Sequence, residues 1–130
     1  MRACRLKIVT KSGGSEAVFE AEGALEEDEK SVRVRYRVEE DEGELIISEQ
    51  SLTMRRRGDC ALETTFIEGS KTEMLLLSGE LRGGIPVYTT RYRLKKEKSQ
   101  AGIELAYELF TAENLQKLLL NIQLFFSEEK

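Results

Sequence analysis

Val32-Arg33-Val34-Arg35-Tyr36-Arg37-Val38 is the stretch on which the fold turns. Its period of two puts Val32, Val34, Tyr36 and Val38 on one face of a strand and the three arginines on the other. A helix would scatter both sets around its axis. The same rhythm of short apolar alternations runs outward in both directions, over residues 5–11, 17–24, 44–48, 52–57, 61–67, 72–77, 87–94 and 103–110. The breaks between them read as turns: Ser12-Gly13-Gly14-Ser15, Glu42-Gly43, Gly58-Asp59, Glu68-Gly69-Ser70 and Gly83-Gly84 all fold back easily or tolerate positive φ. Strands at this spacing, joined by such turns, predict an all-β hairpin-connected sandwich or barrel. The one proline, Pro86, is expected at the start of a strand, where its missing N–H is harmless. No linker, low-complexity tract or internal repeat divides the chain, so residues 1–130 read as one domain.

The last stretch fits two patterns. Leu115, Leu118, Leu119, Ile122 and Phe126 make a helical stripe that Thr111 could cap, and propensity alone leans that way. Leu118, Leu120, Ile122, Leu124 and Phe126 also fit one face of a strand.

The 130 residues are enough for an independent core, and 40% hydrophobic with 34% charged residues suits a globular chain with a charged exterior. A net charge of −4 gives no reason to expect nucleic acid or a membrane surface as partner. The basic start around Arg2 and Arg5 is broken by charges at Lys7 and Lys11, so no export signal and a cytoplasmic location are expected. With only Cys4 and Cys60 the thiols are expected to be reduced. The absence of histidine removes most zinc sites, the usual nucleophile pairs and the common proton shuttle. No catalytic residue, metal site or cofactor is expected.

Gly102-Ile103-Glu104-Leu105-Ala106-Tyr107-Glu108-Leu109, followed by Ala112-Glu113-Asn114 and a last apolar run, resembles the end of the YwiB-like family. Arg56-Arg57-Gly58 and Gly79-Glu80-Leu81 match in the same order, so the resemblance spans residues 52–126. The chain departs from the family pattern at Met74 and Leu76, and its loop from Arg82 to Pro86 is longer. The resemblance implies a single antiparallel calycin-like β-barrel of about ten strands, with the C-terminus a hairpin turning at Ala112 to Asn114. It implies no activity, because that family of small bacterial proteins has none assigned.

Arg56 shares a strand face with Leu52 and Met54, so it is expected to point inward near a rim and to be the most buried arginine, with a specific partner. The plain reading is an internal partner such as a glutamate, or a bulge that returns Arg56 to solvent; the functional one is an anion held at the barrel mouth. Arg56, Tyr36, Tyr88 and Tyr107 are therefore the candidate ligand-binding residues, for a small apolar or anionic ligand. Arg33, Arg35 and Arg37, with Arg55 and Arg57 and with Arg91 and Arg93, form three basic rows. They are expected to be salt-bridged to glutamates such as Glu20, Glu22, Glu63 or Glu104 on a solvated face.

The acidic runs 26–29 and 39–42 read as hairpin tips, Arg57-Gly58-Asp59 as a charged turn, and Cys60 as a structural thiol. Paired carboxylates such as Glu104 and Glu108 are the nearest thing to acid–base machinery and lie on a solvent face. The alternative to ligand binding is a structural or interaction domain that self-associates, as a homodimer, through an edge strand or an outer barrel face. Leu119 and Phe125, opposite the Leu118 set, suggest such a face.

Overall fold

The computed structural model describes residues 2–78, 80–111 and 114–126, with all their side chains except those of residues 60 and 81. Among the described residues ten strands follow one another without a helix: β1 (Arg2–Ser12), β2 (Ser15–Glu27), β3 (Val32–Val38), β4 (Asp41–Ile47), β5 (Ser51–Arg57), β6 (Cys60–Ile67), β7 (Lys71–Ser78), β8 (Leu81–Lys96), β9 (Gln100–Phe110) and β10 (Leu115–Phe126). Each pairs antiparallel with its sequence neighbour, and β1 pairs β10 from Cys4↔Phe126 to Ser12↔Leu118 to close the barrel. The expected ten-strand antiparallel barrel and the C-terminal hairpin both stand. Of the proposed turn, Ala112 and Glu113 lie outside the described residues. The Thr111 hydroxyl does not cap a helix; it holds the turn by donating to the Asn114 carbonyl at 2.9 Å.

The turns after odd-numbered strands lie at one rim, called upper here, and the others at the lower rim. The β1–β2 turn has Gly13 and Gly14 both at positive φ (55° and 87°), the conformation a two-residue hairpin needs. Two expected turns are strand instead. Gly43 lies inside β4, where it faces Tyr36 across the ladder, and the turn is at Glu39-Glu40, with Glu39 at φ 59°. Gly83 and Gly84 lie inside β8, paired with Leu76 and Leu75. Pro86 is also within β8 rather than at its start. It is tolerated because β8 meets β9 only from Val87 onward, so its missing N–H costs no ladder bond on that side.

Inward faces of all ten strands meet in one apolar core, with Val34, Leu45, Leu52, Val87 and Ile122 wholly buried. Opposite walls touch. Phe66 of β6 packs on Tyr107 of β9 with ring centroids 4.7 Å apart. Tyr92 of β8 crosses the lower end, its hydroxyl donating to the Ser48 carbonyl at 2.6 Å and lying 3.1 Å from that of Ser51. Burial pushes its pKa up to about 12. Arg2 helps close the same end: its guanidinium lies 5.1 Å from the centre of the Phe126 ring and 2.6 Å from the Glu27 carboxylate. Cys4 is a buried free thiol whose pKa is pushed up by desolvation, against a hydrogen bond with the Gly23 backbone.

Candidate functional site

β3, β4 and β5 are each seven residues long and joined by tight turns, so their alternation survives unbroken from rim to rim. Val32, Val34, Tyr36 and Val38 face in, while Arg33, Arg35 and Arg37 are exposed, as the period of two predicts. Cross-strand pairing then sets Arg35 beside Glu44 and Arg37 beside Glu42, and sets the same glutamates beside Arg55 and Arg57 on the other side. Two arginine rows therefore flank one glutamate row on the outer wall. The third row, Arg91 and Arg93 of β8, is not part of this face, because β6 and β7 intervene.

Glu44 is shared by three guanidiniums, at 3.7 Å from Arg33, 3.4 Å from Arg35 and 3.3 Å from Arg55. Arg55 also reaches Glu63 at 2.9 Å, and this hydrogen bond holds its pKa above the usual arginine value. The expected salt-bridged face is present in part: Glu63 pairs with Arg55 and Glu104 of β9 with Arg91 of β8, while Glu20 and Glu22 pair with none of these arginines among the described residues. The chief partner, Glu44, was not foreseen. Arg37 and Arg57 have no carboxylate within ion-pair distance among the described residues. Around them the wall is concave, about 640 Å³, lined by Arg33, Arg35, Arg37, Arg55 and Arg57 with Glu22, Glu42 and Glu44. Its floor reaches Tyr36 and Gly43.

Arg56 stands at the upper rim, pairing in register with Gly43, and its Nε donates to Asp41 at 2.8 Å. The expected partner exists. The expected burial does not: its side chain is 43% exposed, against 17% for Arg2 and 36% for Arg55. The inward-facing strand end opens to solvent at the rim, so alternation alone overstated desolvation. Asp41 is the more enclosed partner, since its carboxylate lies where a side chain at Gly58 would begin.

Tyr36 joins this cluster. A side chain at Gly43 would collide with its ring, so the glycine is what lets the ring lie flat across the neighbouring strand. Phe19 of β2 packs on the other side at 5.8 Å. Burial raises the Tyr36 pKa, and the Arg56 charge opposes that rise. Tyr107 does not belong here: it is buried in the core against Phe66, and its pKa is raised by burial. Tyr88 points outward, between Lys71 and Glu108, with Val87 and Thr89 in the core. A β-bulge between Thr89 and Arg91 reverses the face of β8, so Tyr92 is inward while Tyr88 is not. Of the four candidate residues the structure brings together two, Arg56 and Tyr36. Cys60 lies outside the described side chains. Among the described residues no group of three or more acidic or cysteine side chains is placed to hold a metal ion.

A family model described as "Domain of unknown function (DUF1934)" matches residues 4–122. No curated protein matches the chain. Among solved structures, the crystal structure of the ywiB protein from Bacillus subtilis is similar, with a TM-score of 0.78 at 16% identity over 96% of this chain and 90% of that one. At that identity the likeness speaks for the fold alone. With the family model covering nearly all of the barrel, the chain belongs to the DUF1934 family.

Proposed function

We propose that the protein is a binding module for a small, multiply charged anion, taken up at the upper part of the β3–β5 wall. One observation carries this reading: five guanidiniums line the concavity against three carboxylates, and one of those carboxylates already serves three arginines. Arg37 and Arg57 are left without a carboxylate partner among the described residues, at the level nearest the upper rim. Guanidinium forks suit phosphate or carboxylate oxygens. An apolar ligand inside the barrel is the poorer reading, because Phe66–Tyr107 and Tyr92 span the interior such a ligand would occupy.

Titration calorimetry with inorganic pyrophosphate tests it. Saturable binding that weakens with added salt and is lost in Arg37→Ala/Arg57→Ala supports the site. An absence of heat and of thermal stabilisation at millimolar pyrophosphate would remove it.

A second reading has its own observation. Val18, Leu119 and Phe125 are 57%, 56% and 44% exposed on the outer face of β2 and β10, either side of β1. Exposed apolar side chains on the two strands that flank β1 favour self-association through this outer face. β10 itself is not an edge, being paired on both sides. Light scattering on the eluting protein distinguishes a dimer from a monomer, and Leu119→Lys/Phe125→Lys should convert the first into the second.

A further inference from the structure

The barrel is staggered, and β2 outlasts its neighbour. β2 has 13 residues and β3 has 7, and the two pair only from Gly23↔Tyr36 to Glu27↔Val32. β3 then turns back at Glu39-Glu40. Residues 15–22 of β2 pair with β1 along their whole length but have no strand on the β3 side among the described residues. Such an edge presents unpaired backbone donors and acceptors to any extended chain. The corresponding free edge of β8, residues 81–86, is interrupted by Gly83, Gly84 and Pro86, which discourage strand addition. The β2 edge has neither glycine nor proline over residues 15–22, and it includes Val18 and Phe19.

Charge says what would fit there. The outer face of the barrel alternates in sign from strand to strand: Arg5, Lys7 and Lys11 on β1; Glu16, Glu20 and Glu22 on β2; the arginines of β3; Glu42 and Glu44 of β4; Arg55 and Arg57 of β5. Each row lies beside rows of the opposite sign, the arrangement that favours cross-strand pairs. At residues 15–22 the alternation stops short. Glu16 and Glu20 face the β1 cations on one side and no paired strand on the other, because the β2–β3 ladder stops at Gly23↔Tyr36. A second copy of β2 in antiparallel register about Val18 or Phe19 would set Glu16 against Glu20 or Glu22. A cationic strand would continue the pattern.

We propose that the free edge of β2 over residues 15–22 docks an extended segment of another polypeptide as an added antiparallel strand, with Lys or Arg at alternate positions. The outward positions of that segment lie beside Glu16 and Glu20. Its inward positions lie beside Ala17 and Phe19, and apolar residues suit them.

The probe is a capped seven-residue peptide alternating lysine and valine, with a second peptide of the same sequence N-methylated at alternate residues. The expected result is saturable binding of the first, with amide shifts and slowed amide exchange confined to residues 15–22. Glu16→Gln/Glu20→Gln should weaken it about tenfold, two lost charge pairs at a partly exposed edge. Equal binding of the N-methylated peptide would show plain charge attraction and overturn strand addition. So would shifts centred on the β3–β5 wall, or no saturable binding at millimolar peptide. A concentration-dependent dimer whose slowed amides are residues 15–22 would assign the edge to a second copy and also overturn the proposal. Pyrophosphate should leave the peptide affinity unchanged, so this result and the anion result stand or fall separately.

Discussion

β3–β5 and β6–β8 are neighbouring thirds of one wall, held by different means. In β3–β5 every residue has its cross-strand partner, the faces never change, and charge rows bind the outside. In β6–β8 the ladder is broken. β6 and β7 pair only from Cys60↔Ser78 to Glu63↔Leu75. Below that level the Thr72 hydroxyl donates to the Thr65 carbonyl at 2.7 Å. The β6–β7 turn swings onto β8 instead: the Gly69 N–H donates to the Thr89 carbonyl at 2.8 Å, the Thr89 N–H to the Ser70 carbonyl at 3.2 Å, and the Tyr92 N–H to the Glu68 carboxylate at 3.0 Å. The bulge after Thr89 accompanies this detour. The buried hydroxyls of Thr64 and Thr89 have no hydrogen-bond partner among the described residues. A regular ladder concentrates its stability in packing and register, whereas a tucked one depends on a few individual hydrogen bonds.

The strongest test of that contrast is Tyr36→Asp, which buries a charge in the regular third and should cost about 3–5 kcal/mol, enough to unfold a marginal domain. Arg35→Glu, one residue away on the exposed face, should stay within about 0.5 kcal/mol in urea unfolding. Similar costs for the two would break the strict alternation assigned to β3.

Glycine separates the two thirds next. Gly43→Val forces a side chain into the Tyr36 ring and should cost about 2–3 kcal/mol, while Gly83→Ala in β8, with open space around it, should be neutral or slightly stabilising. A neutral Gly43→Val would mean the ring does not lie over that strand.

Tyr92→Phe removes the hydroxyl that crosses the lower end and should cost about 1–2 kcal/mol. The wild type adds a pH signature. With the folded pKa raised to about 12 from the ordinary 10, this contribution is fully present below pH 10 and is lost as pH rises from 10 towards 12. Tyr92→Phe should lack the part of the alkaline stability loss that comes from this group, and an identical alkaline profile would place the titrating tyrosine elsewhere.

The smallest effect has the opposite sign. Thr64→Val and Thr89→Val keep shape and remove unpartnered hydroxyls, so each should stabilise by about 1 kcal/mol in thermal unfolding. A clear loss would reveal a bound water as the missing partner.

The same contrast governs what could be read from the residues alone. The faces of β3 and of Leu52 and Met54 follow from simple parity, because nothing interrupts those strands. Tyr88 was misplaced because Thr89-Thr90-Arg91 carries no mark of a bulge, and one inserted residue reverses every later face. Gly43 and Gly83-Gly84 look like turns because glycine is the usual turn residue; one is kept in strand by an aromatic ring and the others lie at a free edge. Arg56 was correctly given a partner but too much burial, since parity says which way a side chain points and not how far the rim lies above it. The alternating charge rows were visible as composition. Their pairing around Glu44 needed the register.

Nine of the ten strand pairings join neighbours in sequence, and only β1 with β10 spans the chain. During synthesis the hairpins can therefore form in order as they emerge, at little loop-closure cost, while the seam waits for residues 115–126. Until then β1 and β9 present open edges and the apolar inner faces are uncovered. A ribosome that pauses before β10 holds its product in the state most exposed to chaperones and to aggregation.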